Sequence, residues 1–170
     1  MPKTPPVLID TPRLQMRHFC IADVDDVFEF STHDEVTRYT GDAGVVKTRQ
    51  DAMNLITELW EEEYRRYGYA RYALVHKGDN KVIGFCGVKY LEDEGRPDIG
   101  YRMLPEYWGQ GLAYEAAQAA MDYARDELGL TNIMAEAVVE NIASNKILTK
   151  IGLTLVDTYH RYGFNVNRYE

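Results

Sequence analysis

The sequence predicts an α/β (mixed α+β) domain, a mixed sheet with helices on its faces. Three observations carry that prediction. Strand-like runs in the first half are joined by short turns. In the second half they alternate with helical periodicity, in the order strand–helix–strand–helix–strand. The 170 residues amount to about one domain, and no repeat, low-complexity tract or linker divides them, so a single domain over 1–170 is expected.

After a proline-marked lead-in, Leu14–Arg17 alternates as a short strand does. Asp23 stands where it can cap a first helix with Val24, Val27 and Phe28 on one face. A second helix opens on Thr48 and Asp51, which resemble a capping box. It repeats Ala52, Leu55, Ile56, Leu59, Trp60, Tyr64 and Tyr67 at helical spacing and ends at Gly68. Glu58, Glu61, Glu62 and Glu63 read as its wet face. Two strands, Tyr69–His76 and Lys81–Tyr90, flank the turn KGDNK. EDEGRPD reads as a loop and Asp98–Leu104 as a strand. A long alanine-rich helix follows, closed by Gly129. Then come a strand over Asn132–Val139, a short helix over Ala143–Ile151 ended by Gly152, and strands Leu153–Arg161 and Phe164–Tyr169 that turn at Gly163.

Lysines and arginines number 19 against 27 acids, a net charge of −8. That balance disfavours nucleic acid and anionic membranes as partners, because both reward a basic face. It suits a cationic substrate, and equally an acidic soluble protein with no such partner. Cys20 and Cys86 form no CxxC pair or Cys/His cluster of metal spacing, so no metal is expected. The N-terminal MPKTPPVLIDTPRL lacks an apolar run long enough for a signal peptide, and no segment nears the ~20 apolar residues of a membrane span. A cytoplasmic location is expected. His18, His33, His76 and His160 are scattered and form no close pair.

The stretch PEYWGQGLAYEAAQAAMDYARDELG, from Pro105, holds the clearest functional signal. Ala113, Ala116, Ala117, Ala120, Met121, Ala124 and Leu128 make one stripe suited to close packing on a sheet. Packing does not explain the start of the helix. A helix that only packs begins well on Ser, Thr, Asp or Asn; this one begins Gly109, Gln110, Gly111, Leu112, with no such cap. Bare amides at a helix start, with glycines that admit a ligand closely, form an anion site, most often for phosphate. The pattern GxxxxGK[ST] is absent, and a dinucleotide fingerprint fails because Tyr114 stands at the third glycine and LPEYW separates the turn from the strand.

The run IGYRMLPEYWGQGLAYEA, followed by ENIASNKILTKIGL, resembles the GNAT superfamily of N-acetyltransferases, and within it the RimJ/RimL-like branch of ribosomal-protein N-terminal acetyltransferases. TPRLQMR, VIGFCGV and the order of elements agree, so the likeness covers nearly the whole chain from about Asp10. The resemblance implies a twisted mixed sheet with splayed central strands, acetyl-CoA as cosubstrate in the wedge, an amine-bearing acceptor (a peptide N-terminus or a small molecule) and a homodimer. It places the pyrophosphate on amides of Gly109, Gln110, Gly111, Leu112, Ala113 and Tyr114. The pantetheine arm would lie beside Arg102, Met103 and Leu104, and Asn141 would contact that arm. Trp108 stands where the superfamily has Gln or Arg, which leaves the turn itself without a cation.

Transfer to an amine requires a base, an oxyanion donor and an acid. A backbone N–H at Arg102 or Met103 is the candidate donor. For the acid, the superfamily's tyrosine is replaced by Leu148, and Ser144 matches the branch's serine; helix capping is its alternative role. Asp98 is the candidate base, acting directly or through water, with a strand-end aspartate in solvent as the rival reading. Tyr101 reads as packing, and Lys146 and Lys150 as a solvated face. Two other functions stay open: a CoA-binding sensor without catalysis, and a transferase using another short acyl-CoA such as succinyl-CoA.

Overall fold

A computed structural model describes residues 3–170. β1 (Val7–Asp10), within the proline-marked lead-in, pairs antiparallel with β2 (Leu14–Arg17). Pairing continues antiparallel through β3 (Tyr72–His76), β4 (Lys81–Leu91) and β5 (Arg96–Met103), in the order β1-β2-β3-β4-β5. EDEGRPD is less of a loop than its composition predicts. The turn takes only residues 92–95, and Arg96 and Pro97 already pair with Leu91 and Tyr90.

β6 (Ala135–Val138) is joined to β5 at its approach by one parallel bridge, Asp98 to Met134. The Ile99 amide donates to the Met134 carbonyl and the Met134 amide to the Pro97 carbonyl, both at 2.9 Å. Beyond this point the two strands share no pairing among the described residues, and they part. β8 (Phe164–Tyr169) lies between β6 and β7 (Leu155–Arg161), completing a mixed sheet in two antiparallel sections.

Helix α1 (Val24–Thr32) follows a 3-10 turn and buries Val24, Val27 and Phe30; Phe28 is only half-buried. Asp23 does not cap α1 as its position predicts. Its carboxylate instead takes two bonds from the Arg17 guanidinium, at 2.8 and 2.9 Å, and one from the Cys20 amide at 2.9 Å. A buried guanidinium is the stronger claimant for that charge. α2 (Asp34–Thr37) comes next.

The second predicted helix is a rod in three parts: α3 (Arg49–Asn54), a π-helical segment (Leu55–Trp60) and α4 (Glu61–Tyr67). Thr48 and Asp51 form the reciprocal capping box, each bond 3.1 Å, and Gly68 ends the rod at φ +82°. The π segment has a consequence that periodicity at 3.6 residues misses. The Glu61 amide bonds to Ile56, five residues back, and the extra residue rotates the next turn. Leu59, counted in the apolar stripe, is therefore exposed, and Glu63, counted in the wet face, is buried against Lys89 at 2.6 Å.

α5 (Leu112–Asp126) lays Ala116, Ala117, Ala120, Met121 and Ala124 on β4 and β5, as the small-residue stripe predicts. α1 and the rod cover the other face, where Phe30, Trp60 and Phe85 meet. α6 (Ile142–Lys150) packs against β6 and α5.

Replacing Asp23 with alanine leaves the Arg17 charge buried without its partner. Urea denaturation of Asp23→Ala is expected to show a loss of about 3–5 kcal/mol, the usual cost of breaking a buried pair.

Candidate active site

The head of α5 is uncapped. Gly111 is the N-cap residue at φ +79° with no side-chain cap, and Gly109 is also left-handed at φ +73°. The amides of residues 109–114 make no hydrogen bond with any described residue. The left-handed turns aim successive N–H groups to one side, and the helix dipole adds to them. The cation missing from the turn arrives from elsewhere in the chain. Arg13, in the β1–β2 turn, donates to the Gln110 carbonyl at 2.8 Å and to Glu115 at 2.8 Å, and a Cβ on Gly111 would lie 3.5 Å from it. The Gln110 carbonyl is taken by Arg13 and its side chain donates to the Glu106 carbonyl, which leaves its main-chain amide free among the described residues.

The turn opens on a cavity of about 1130 Å³ that runs through the gap between β5 and β6. Main-chain groups alternate sides along a strand. The Ile99 amide points to β6, and the Leu104 amide points to β4, where it bonds Ile83 at 2.9 Å. By that alternation Tyr101 and Met103 present their amides to the gap, whereas Arg102 and Leu104 turn theirs to β4. Among the main-chain candidates, Met103 faces the gap, Arg102 and Leu104 do not, and Tyr101 joins the edge. The Met103 carbonyl is occupied by the indole N–H of Trp108 at 2.8 Å.

Asn141 and Ser144 line the other wall, at the start of α6. Asn141 is the cap: its side-chain oxygen accepts the Ser144 amide at 3.3 Å. That leaves the Ser144 hydroxyl free of capping, and it meets the Tyr101 hydroxyl at 2.9 Å across the gap. Tyr101, taken as packing from sequence, is thus a polar partner, and burial pushes its phenol pKa upward. Lys146 and Lys150 line the cavity near the glycine turn, with Lys150 over the Tyr114 ring at 4.3 Å.

Asp98 lines the opposite end and is mostly buried, not a strand-end group in open solvent. Arg71 bonds its carboxylate oxygen Oδ1 at 3.1 Å and its carbonyl at 2.8 Å. Oδ2 has no hydrogen bond among the described residues. Burial raises the Asp98 pKa, while the Arg71 charge and hydrogen bond oppose that rise. Gly100 makes room for Arg71, since a Cβ there would stand 2.6 Å from the guanidinium. Glu136 on β6 adds a second carboxylate to this end; it accepts from the Tyr159 hydroxyl and from Arg161. Glu136 was missed in the strand NIMAEAVV, where its alternation with buried alanines was the available signal. Among the described residues no cluster of three or more metal-ligating side chains occurs.

Residues 13–154 match the family described as acetyltransferase (GNAT) domain. The chain is 30% identical over 156 residues to the uncharacterized N-acetyltransferase YoaA of Bacillus subtilis, covering 91% of this chain and 87% of the relative. Its fold matches an acetyltransferase (GNAT family) from Bacillus anthracis with a TM-score of 0.80 at 26% identity, over 95% of each chain. It also matches RimL, a ribosomal L7/L12 α-N-protein acetyltransferase in complex with coenzyme A, with a TM-score of 0.83 at 18% identity over 96% of each chain.

Titrating the Asp98 carboxyl by carbon-13 NMR is expected to give a midpoint above the ordinary aspartate value of about 3.9. Arg71→Met should raise it further by removing the two opposing influences. Because the folded value exceeds the unfolded one, this group's contribution to stability is complete below the unfolded pKa and is lost as pH rises through the folded pKa.

Proposed function

Since this chain belongs to the GNAT acetyltransferase family, we propose that it moves an acetyl group from acetyl-CoA to a primary amine, on a protein N-terminus or a small molecule, by direct attack in a ternary complex. The observation that carries this reading is the run of unbonded amides over residues 109–114 beside the gap. Motifs and fold likeness together support the RimJ/RimL-like branch.

Acetyl-CoA, when bound, supplies the acyl thioester; the remaining tasks fall to residues of the chain. The amides of Gly109, Gln110, Gly111, Leu112, Ala113 and Tyr114 seat the diphosphate, and Arg13 places a positive charge beside them. The amides of Tyr101 and Met103 receive the carrier arm and polarise the thioester carbonyl. Asn141 contacts the arm from the other wall. Asp98 Oδ2 takes the amine proton, directly or through water, and its raised pKa brings it closer to a useful base at neutral pH. Ser144 Oγ, held by the Tyr101 hydroxyl, donates to the departing sulfur. Cys20 and Cys86 do not line the cavity, which favours direct attack over an acyl-enzyme.

Gly111→Glu puts a side chain in a left-handed position and a negative charge among the amides. Calorimetric titration with acetyl-CoA is expected to show affinity reduced at least a hundredfold; binding as in the wild type would remove the basis of the proposal. Ser144→Ala is expected to slow single-turnover transfer ten- to a hundredfold with acetyl-CoA affinity little changed. An unchanged rate would return the serine to a packing role.

A further inference from the structure

Arg102 has a surplus of donors at the acceptor end of the cavity. Its guanidinium is largely buried, with the side chain 14% exposed, and it lies 4.6 Å from the centre of the Phe85 ring. Its ionic contact is Nη2 to Asp42 Oδ2 at 3.1 Å, and Asp42 is itself 44% exposed. Nε and Nη1 have no acceptor among the described residues. The neighbouring Arg71 is more heavily committed, with three hydrogen bonds, to the Gly87 and Asp98 carbonyls and to the Asp98 carboxylate.

Removing a guanidinium from water costs several kcal/mol unless it is paired and hydrogen-bonded. One ion pair to a half-exposed aspartate leaves most of the Arg102 fork unmatched, and burial beside Arg71 depresses its pKa. Arg38, at the mouth of the same cavity, stacks on Tyr39 at 5.0 Å and has no carboxylate within 4 Å among the described residues. These two positive groups share the cavity lining with the Asp98 and Glu136 carboxylates, in a chain whose net charge is −8. The acceptor end is therefore bipolar. The carboxylate side suits an ammonium group, and the guanidinium side suits an anion.

We propose that the acceptor amine carries a carboxylate, as in a free amino acid, and that the Arg102 side chain binds that carboxylate. This rests on the acetyltransferase reading above. A planar guanidinium matches a carboxylate through two parallel hydrogen bonds. A doubly charged phosphate would need a second uncommitted guanidinium buried beside Arg102; Arg71 is committed and Arg38 is exposed. Asp98 and Arg102 leave the same face of β5 four residues apart, roughly 13 Å of strand, and the guanidiniums of Arg102 and of Arg71, which bonds Asp98, both lie over the Phe85 ring, at 4.6 and 5.7 Å. The amine then lies near the gap and the carboxylate towards α2.

The test is CoA release from acetyl-CoA with the twenty L-amino acids and, in parallel, their α-amides. The amide's amine is the less basic, so intrinsic reactivity at neutral pH favours it, and an excess for the acid reports recognition. The wild type should show kcat/KM at least tenfold higher for its best acid than for the matching amide. That ratio should fall towards one in Arg102→Met and be partly kept in Arg102→Lys. A rise in melting temperature with acetyl-CoA, as in the wild type, establishes that each variant is folded. Amides used as well as or better than acids by the wild type, or an unaltered ratio in Arg102→Met, overturns this inference and leaves the acetyltransferase reading standing. Release with no acid and no amide overturns this inference too; the acetyltransferase reading, which covers peptide N-termini and other amines, falls only if acetyl-CoA also fails to raise the melting temperature of the wild type.

Discussion

β5 and β6 are held together by one parallel bridge at Asp98 and Met134 and then diverge. A parallel pair that continued would satisfy the amides of Tyr101 and Met103 within the sheet and leave no space between the strands. The divergence exposes those amides, admits an extended ligand at mid-sheet and places α5 and α6 on its two sides. The uncapped head of α5 then lies at one end of the opening and the carboxylate of Asp98 at the other. The bare amides of α5, the free amides of the strand edge and the buried carboxylate of Asp98 are thus brought to one opening by the termination of one ladder.

Buried charge is the second organising element. Arg17 with Asp23, Arg71 with Asp98 and Lys89 with Glu63 each place a cation and an acid inside the protein, and the last two tie distant segments together. Arg17–Asp23 fixes the entry to α1, and Arg71–Asp98 locks the approach to β3 onto β5. Lys89–Glu63 anchors the rod after its π segment. Such pairs add little net stability over apolar side chains of similar size, but they penalise any packing that separates the partners. Of the three, the Arg71–Asp98 pair lines the cavity.

Much of this architecture was legible in the sequence because the signals were local. The Thr48–Asp51 box, the alanine stripe of α5 and the bare Gly109–Gly111 turn each depend on neighbours a few residues away. What was not legible depends on long-range placement. Arg13 reaches Gln110 across 97 residues, and no spacing rule anticipates that. Tyr101 meets Ser144 across 43, so Tyr101 looked like packing and the candidate acid Ser144 had no visible partner. The parity of β5, which turns Arg102 and Leu104 away from the gap, is set by pairing with β4 and is invisible in β5 alone. The π segment defeats a 3.6-residue count from inside, exposing Leu59 and burying Glu63.

Trp108 replaces a polar residue of the superfamily, and its indole N–H reaches back to the carbonyl of Met103. The glycine turn is thereby tethered to the strand edge it must serve. On the function proposed above, the span between the bare amides of the turn and the Met103 amide becomes a built-in ruler, not the product of two loops moving independently. A carrier arm of the wrong length would satisfy one end of that ruler and miss the other. Discrimination among thiol carriers would then arise from distance alone, before any contact with the acyl group.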